Sequence, residues 1–278
     1  MTAPTLTTDC LERARSGNQA AFAELVRAHE REIQSFLYRM AAHRQDAEDL
    51  SQEVWVRVHG KLSGFAGRSS FRTWLFQIAA NLARDHHRAK QRWPANAQDL
   101  AKELAECGPE TAADFRRVQR EAQHVRFEIS EHIDFCLTCI MKTLPLEQQI
   151  AVMLCEMYRF TNAEAAEILN LSLPVLKHLL HDARTALDRI FEHRCALINK
   201  HGACHQCSQL NGFFNPAQQE HGERAAHDLA QAADDGRQDL LDLRLRLASG
   251  INPLHSSGSD IQDAIMLVCR AAVDKQMA

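Results

Sequence analysis

Nine cysteines and fifteen histidines are the side chains of this 278-residue chain with the most chemistry open to them. Their spacing is uneven. His132, Cys136 and Cys139 are separated by steps of four and three, which puts three side chains on one face of a helix. A second group, His193, Cys195, Cys204, His205 and Cys207, supplies another Cys-x2-Cys pair. Thiolates and imidazoles are the ligands of tetrahedral zinc. Cys136, Cys139, Cys204 and Cys207 are therefore a candidate set for one zinc ion, with His132, His193, Cys195 and His205 as alternative ligands. The long gap between the pairs is unlike a compact zinc ribbon. A thiol redox switch, or the packing of cysteine as a small apolar side chain, accounts for the helical pair without metal. Cys10, Cys107, Cys155 and Cys269 lack paired spacing and read as ordinary thiols.

A second chemistry, contact with nucleic acid, is carried by residues 172–189. Val175, Lys177, His178, His181 and Arg184 fall on the outward side of that helix, while Leu176, Leu179, Leu180, Ala183, Leu187 and Ile190 point inward. Such outward side chains can meet base edges and phosphates in a major groove. A solvated polar face is the plainer alternative. The elements that would position the helix are legible. Thr161 and Glu164 form a Thr-x-x-Glu capping box at the start of a short preceding helix. Asn170-Leu171-Ser172 is a tight turn, and Pro174 sits in the first turn of the next helix, where its missing N–H does little harm. Residues 144–191 thus read as a helix-turn-helix. No nucleophile–base pair and no HExxH motif appears, so a non-enzymatic protein is expected.

The rest of the chain is helical by the same criterion, and the fold class expected is all-α. Phe22, Leu25, Val26, Ile33, Phe36, Leu37 and Met40 give one amphipathic helix; Leu50, Val54, Val58 and Leu62 give another; Phe71, Trp74, Leu75, Ile78 and Leu82 give a third. Residues 8–93 form one helical domain, 94–124 a linker, 125–192 a second helical domain, 193–216 a Cys-rich segment, and 217–278 an acidic helical extension broken at Gly250–Pro253. The net charge is −4, and the extension, with ten acidic and six basic residues, supplies that excess. A chain this weakly charged is not expected to hold DNA alone. No apolar run is long enough to span a bilayer and the N-terminus lacks an apolar signal region, so a cytoplasmic location is expected, with no membrane partner.

Read together, two segments resemble one family. Asp46-Ala-Glu-Asp-Leu-Ser-Gln-Glu-Val-Trp-Val-Arg-Val58 resembles the core-binding helix in region 2 of extracytoplasmic-function (ECF) sigma factors. Phe71-Arg-Thr-Trp-Leu-Phe-Gln-Ile-Ala-Ala-Asn-Leu-Ala-Arg-Asp85 is similar to the adjoining helix that handles the −10 element. Leu144-Pro-Leu-Glu-Gln-Gln, Ala165-Ala-Glu-Ile-Leu-Asn and Leu171-Ser-Leu-Pro-Val-Leu-Lys-His-Leu-Leu-His-Asp-Ala-Arg184 resemble region 4. The resemblance covers about residues 8–92 and 126–191. It implies a promoter-specificity subunit with core RNA polymerase and promoter DNA as partners, and leaves room for an anti-sigma factor. By position, Asp46, Asp49, Gln52, Glu53 and Arg57 would meet the polymerase. Phe65, Arg68, Arg72, Asn81 and Arg84 would serve an unpaired −10 base, which needs a shaped pocket with hydrogen-bonding groups. Arg88, Lys90 and Arg92 would neutralise phosphates. Val175, Lys177, His178, His181 and Arg184 would read the −35 element.

Region 4 departs from the family pattern. Leu179 and Asp182 stand where the family often carries Arg, and Pro174 where Gly is frequent. Fewer cations imply a weaker −35 grip. The acidic extension lies outside the family pattern, and two roles suit it: masking the basic DNA-contacting surface, or capping the Cys-rich segment. A stand-alone helix-turn-helix regulator that senses metal or redox state is the competing reading. The helix at 46–58 separates the two, because such a regulator has no need of a polymerase-docking surface.

Overall fold

In the computed structural model, residues 8–88, 129–194, 237–256 and 259–277 are described, together with residues 93, 94, 96, 97, 99, 100 and 103. Among these residues every regular element is a helix, as expected. No described helix is long and apolar enough to cross a membrane. The helices cluster into two compact units that do not simply follow chain order: Phe160–Lys177 joins the N-terminal helices, and His178 onward belongs with the rest.

The first unit begins with α1 (Thr8–Arg15), α2 (Gln19–Ala41), α3 (Arg44–Lys61), a short 3-10 turn (Leu62–Gly64) and α4 (Phe71–Arg88). The starts of α2, α3 and α4 each have a local cause. The Asn18 side chain accepts from the Ala21 N–H at 3.0 Å, His43 Nδ1 from the Asp46 N–H at 3.3 Å, and Ser70 Oγ from the Thr73 N–H at 3.0 Å. Helix α2 ends where Ala42 turns left-handed (φ 52°). Its buried row of Leu25, Ile33, Phe36, Leu37 and Met40 is the spine of the bundle. Helix α3 buries Ala47, Ser51, Val54 and Val58, and α4 buries Leu75, Phe76, Ile78, Ala79 and Leu82.

Phe160 and α7 (Asn162–Leu169) complete this unit against α4. The Phe160 ring lies edge-on to Phe76, with centroids 4.8 Å apart, and the Arg72 guanidinium stacks 3.9 Å above it. The capping box of α7 forms as the sequence predicts: the Glu164 N–H donates to Thr161 Oγ1 at 3.2 Å, and the Thr161 N–H to Glu164 Oε2 at 2.8 Å. Asn170 then adopts φ 54°, and the chain turns into α8 (Leu173–Arg194).

The second unit contains α5 (Ile129–Met141), α6 (Leu146–Val152) running into a π-turn (Met153–Met157), α8 from His178, α9 (Arg237–Ser249) and α10 (Ser259–Met277). Every residue from Ile133 to Met141 of α5 is buried. A helix buried all round needs walls on every side. Leu241, Leu245 and Ala248 of α9 pack on α5 and the π-turn, and α10 also packs on α5 while burying Met266, Cys269 and Val273. The buried Arg244 of α9 stacks over Phe191 of α8 at 4.5 Å.

Two measurements follow from this packing. Leu245 is only 2 % exposed, so Leu245→Ala should lower the unfolding free energy by about 2–5 kcal/mol in a denaturant titration followed by circular dichroism. In the first unit, Arg72 Nε lies 3.1 Å from both carboxylate oxygens of Glu32. Burial pushes the Glu32 carboxyl up, but interaction with His29 and Arg72 outweighs it and holds the group below its ordinary value of 4.5. A lowered native pKa stabilises the fold above the unfolded value and loses that contribution as the pH falls through the native one. Glu32→Gln should therefore destabilise the protein at pH 7, and its deficit relative to wild type should shrink as the pH drops below 4.5.

Candidate polymerase and nucleic-acid interfaces

Helix α3 presents a mixed face to solvent. Asp49, Gln52 and Glu53 are exposed, and Arg57 Nε donates to Glu53 Oε1 at 2.8 Å. Asp46, expected on this face, is turned toward its own bundle. Its carboxylate lies 3.1 Å from His43 Nδ1 and 3.4 Å from His86 Nε2. The residue that sequence reasoning missed is Val56, which is 66 % exposed, the most exposed large hydrophobic side chain described. It follows Gln52 by four positions and Glu53 by three, so the three share a face. The available signal was its place off the buried row of Val54 and Val58.

The eight −10 candidates divide. Arg68, Asn81 and Arg88 are exposed. Arg88 Nη1 lies 3.5 Å from Asp85 Oδ1. Phe65, expected to face an extruded base, is instead 6 % exposed. Its ring packs 5.0 Å from Trp74 and 6.1 Å from Phe71, against the cluster of Leu25 and Leu62. The apolar ring gains more from that cluster than from the loop surface. Arg72 is held by Glu32 and by the Phe160 ring. Arg84 donates to Asn81 Oδ1 at 3.0 Å and to the Leu169 carbonyl, the open C-terminal end of α7, at 3.1 Å. Lys90 and Arg92 lie outside the described residues.

On α8, Lys177, His178 and His181 are exposed, and Val175 is 46 % exposed. Leu173 beside it, 41 % exposed, was not singled out from sequence. Arg184 differs from these. It donates to Glu156 Oε1 of the π-turn at 2.6 Å and to Asp242 Oδ1 of α9. Burial alone would lower its pKa, but the hydrogen bonds it donates to Asp242 and Glu156 raise it, so the charge is secure. Among the described residues Arg184 is thus the −35 candidate that pairs with the extension, through Asp242.

Cys136 and Cys139 are buried on α5 and form no disulfide. Cys195, Cys204, His205 and Cys207 lie outside the described residues, as does the side chain of His132. His193 is exposed, with Nδ1 2.8 Å from the Arg189 carbonyl. Among the described residues no group of three or more His, Cys, Asp or Glu is placed to hold a metal. Burial pushes the Cys155 thiol up to about 12, which suits a packing role.

Comparison with known proteins covers both segments. The family description Sigma-70 region 2 matches residues 25–93, and Sigma-70, region 4 matches residues 134–187. The ECF RNA polymerase sigma factor SigW of Bacillus subtilis is 30% identical over 178 residues, 64% of this chain and 92% of that protein. The RNA polymerase sigma-H factor of Pseudomonas aeruginosa is 27% identical over 184 residues, 66% of this chain and 92% of that protein. Among solved structures, CnrH in complex with the cytosolic domain of CnrY matches with a TM-score of 0.46 and 22% identity, over 66% of this chain and 96% of that one. The matched regions, in the order that the two helical segments impose, and the length of SigW that is spanned have one reading: the chain belongs to the ECF group of the sigma-70 family of RNA polymerase sigma factors.

Proposed function

We propose that this alternative sigma factor docks on core RNA polymerase through the outward face of α3 and meets the −35 element of its promoters through α8. It acts by binding alone, without catalysis, and it works in the cytoplasm, where polymerase and chromosome are. The observation that carries the docking surface is Val56. A valine 66 % exposed beside Asp49, Gln52 and Glu53 combines an apolar anchor with a charged rim. That is the composition of a protein–protein contact rather than of a solvated helix face. The exposed Val175, Lys177, His178 and His181 of α8 offer one methyl-sized contact and several donors to a major groove.

A polymerase contact at α3 also separates this reading from that of a stand-alone regulator. Burying a valine side chain contributes about 1.5 kcal/mol or more, which corresponds to about a tenfold change in affinity. Val56→Glu should weaken binding of the full-length chain to core polymerase at least about tenfold, while its circular dichroism spectrum and melting temperature stay those of wild type. Wild-type affinity in that variant would remove α3 as the docking surface. No binding of core polymerase by the wild-type chain would return the stand-alone regulator to the front.

A further inference from the structure

Beside Arg184 the second unit holds an open cleft of about 280 Å³ where the π-turn, α8 and α9 meet. Its charged lining is Arg159, Arg184, Arg246, Glu156 and Asp242. The two carboxylates both accept from Arg184, so the three guanidiniums and two carboxylates of the lining leave one net positive charge. Arg159 and Arg246 are exposed, and neither has an ion pair among the described residues. Two guanidiniums without an ion pair among the described residues thus share one cleft whose acids already pair with Arg184.

We infer that Arg159 and Arg246 form a seat for a backbone phosphate of promoter DNA, beside the bases met by α8, and that the C-terminal extension supplies half of it. The inference rests on the reading that α8 enters the −35 groove. Position is the first argument. Lys177, His181 and Arg184 follow one another at steps of four and three, so they form one stripe of α8. Arg184 lies about 10 Å along the axis from Lys177. A recognition helix that meets bases with its N-terminal turns brings its later turns toward the phosphates that border the groove. The cleft lies at that later end.

Chemistry is the second argument. Guanidinium is the side chain best shaped for phosphate, because its planar fork donates two parallel hydrogen bonds. Arg159 is also held at φ 56°, a left-handed backbone that a side chain with Cβ adopts at a cost. Such strain clusters at functional positions. The third argument is need. Leu179 and Asp182 leave α8 short of cations, and the chain as a whole carries −4. Arg246 comes from α9, so an extension that is acidic overall places a cation beside the DNA-reading helix. Its local contribution is then the reverse of a mask.

The test is the salt dependence of promoter binding by the full-length chain with core polymerase, on a duplex selected by that holoenzyme from a library. Arg159→Asn suits the left-handed backbone, and Arg246→Gln changes an exposed side chain, so neither disturbs the core. Loss of one phosphate contact makes the slope of log K against log salt shallower by about 0.9. The double variant should show that change, losing about 3.5-fold less affinity than wild type between 50 and 200 mM salt. Its weakened low-salt binding should be uniform across −35 sequences, and Arg246→Lys should keep the wild-type slope. An unchanged slope in the double variant overturns the seat. Lys177→Ala separates the two levels: if it weakens −35 binding while the double variant keeps its slope, only the phosphate seat falls. If Lys177→Ala also binds as wild type does, the reading of α8 falls with it.

Discussion

Helix α5 cannot leave any side in water. Phe135, Leu137, Ile140 and Met141 point in different directions around its axis, and Asp134 and Thr138, both 0 % exposed, complete the circumference. Helices buried on one stripe can stand at a surface, but a helix apolar nearly all round has to be enclosed. In the second unit the enclosing is done partly by α9 and α10, from the far end of the chain. The C-terminal extension is therefore a wall of this unit's core as well as an appendage to the family pattern. The placements of Arg184, Arg246 and the cleft between them all follow from that one demand for burial.

Long-range charge pairs do a related task. Arg72 joins Glu32 of α2 to the Phe160 ring, and Arg184 joins Glu156 of the π-turn to Asp242 of α9. An exposed ion pair contributes little, but a guanidinium that also covers an aromatic ring or bridges two carboxylates fixes geometry as well. The cost is availability. In this structure Arg72, Arg84 and Arg184 bind protein groups and Arg88 lies beside Asp85, which leaves Arg68 and Lys177 among the cations most open to a phosphate. That distribution agrees with the low net charge: a chain that commits its arginines inward depends on a partner for much of its hold on DNA.

The helix-turn-helix shows the opposite balance, with local signals sufficient. The Thr161–Glu164 capping box, the left-handed Asn170 and the early Pro174 lie within a few residues of the groups they act on, so the sequence alone predicts them. The two family segments are legible for the same reason, since they consist of helix-length patterns in a set order. Even so, Phe160–Lys177 clusters with the N-terminal bundle, a grouping that no periodicity announces.

What the sequence by itself determined is the all-helical class, the helix starts and turns, and the sigma-70 family, because apolar period and capping act over one or two turns of chain. What only the tertiary structure decided is which polar and apolar side chains are left open. Val56 is exposed because the rest of α3 already satisfies the bundle, and Phe65 is buried because Phe71 and Trp74 close over it. Arg72 and Arg184 find carboxylates 40 and 58 residues away in the chain. A charge pattern shows that an arginine needs a partner; it does not say whether that partner is a phosphate or a distant carboxylate. That choice depends on which helices pack together, and here a distant extension, brought in to cover α5, made it for Arg184.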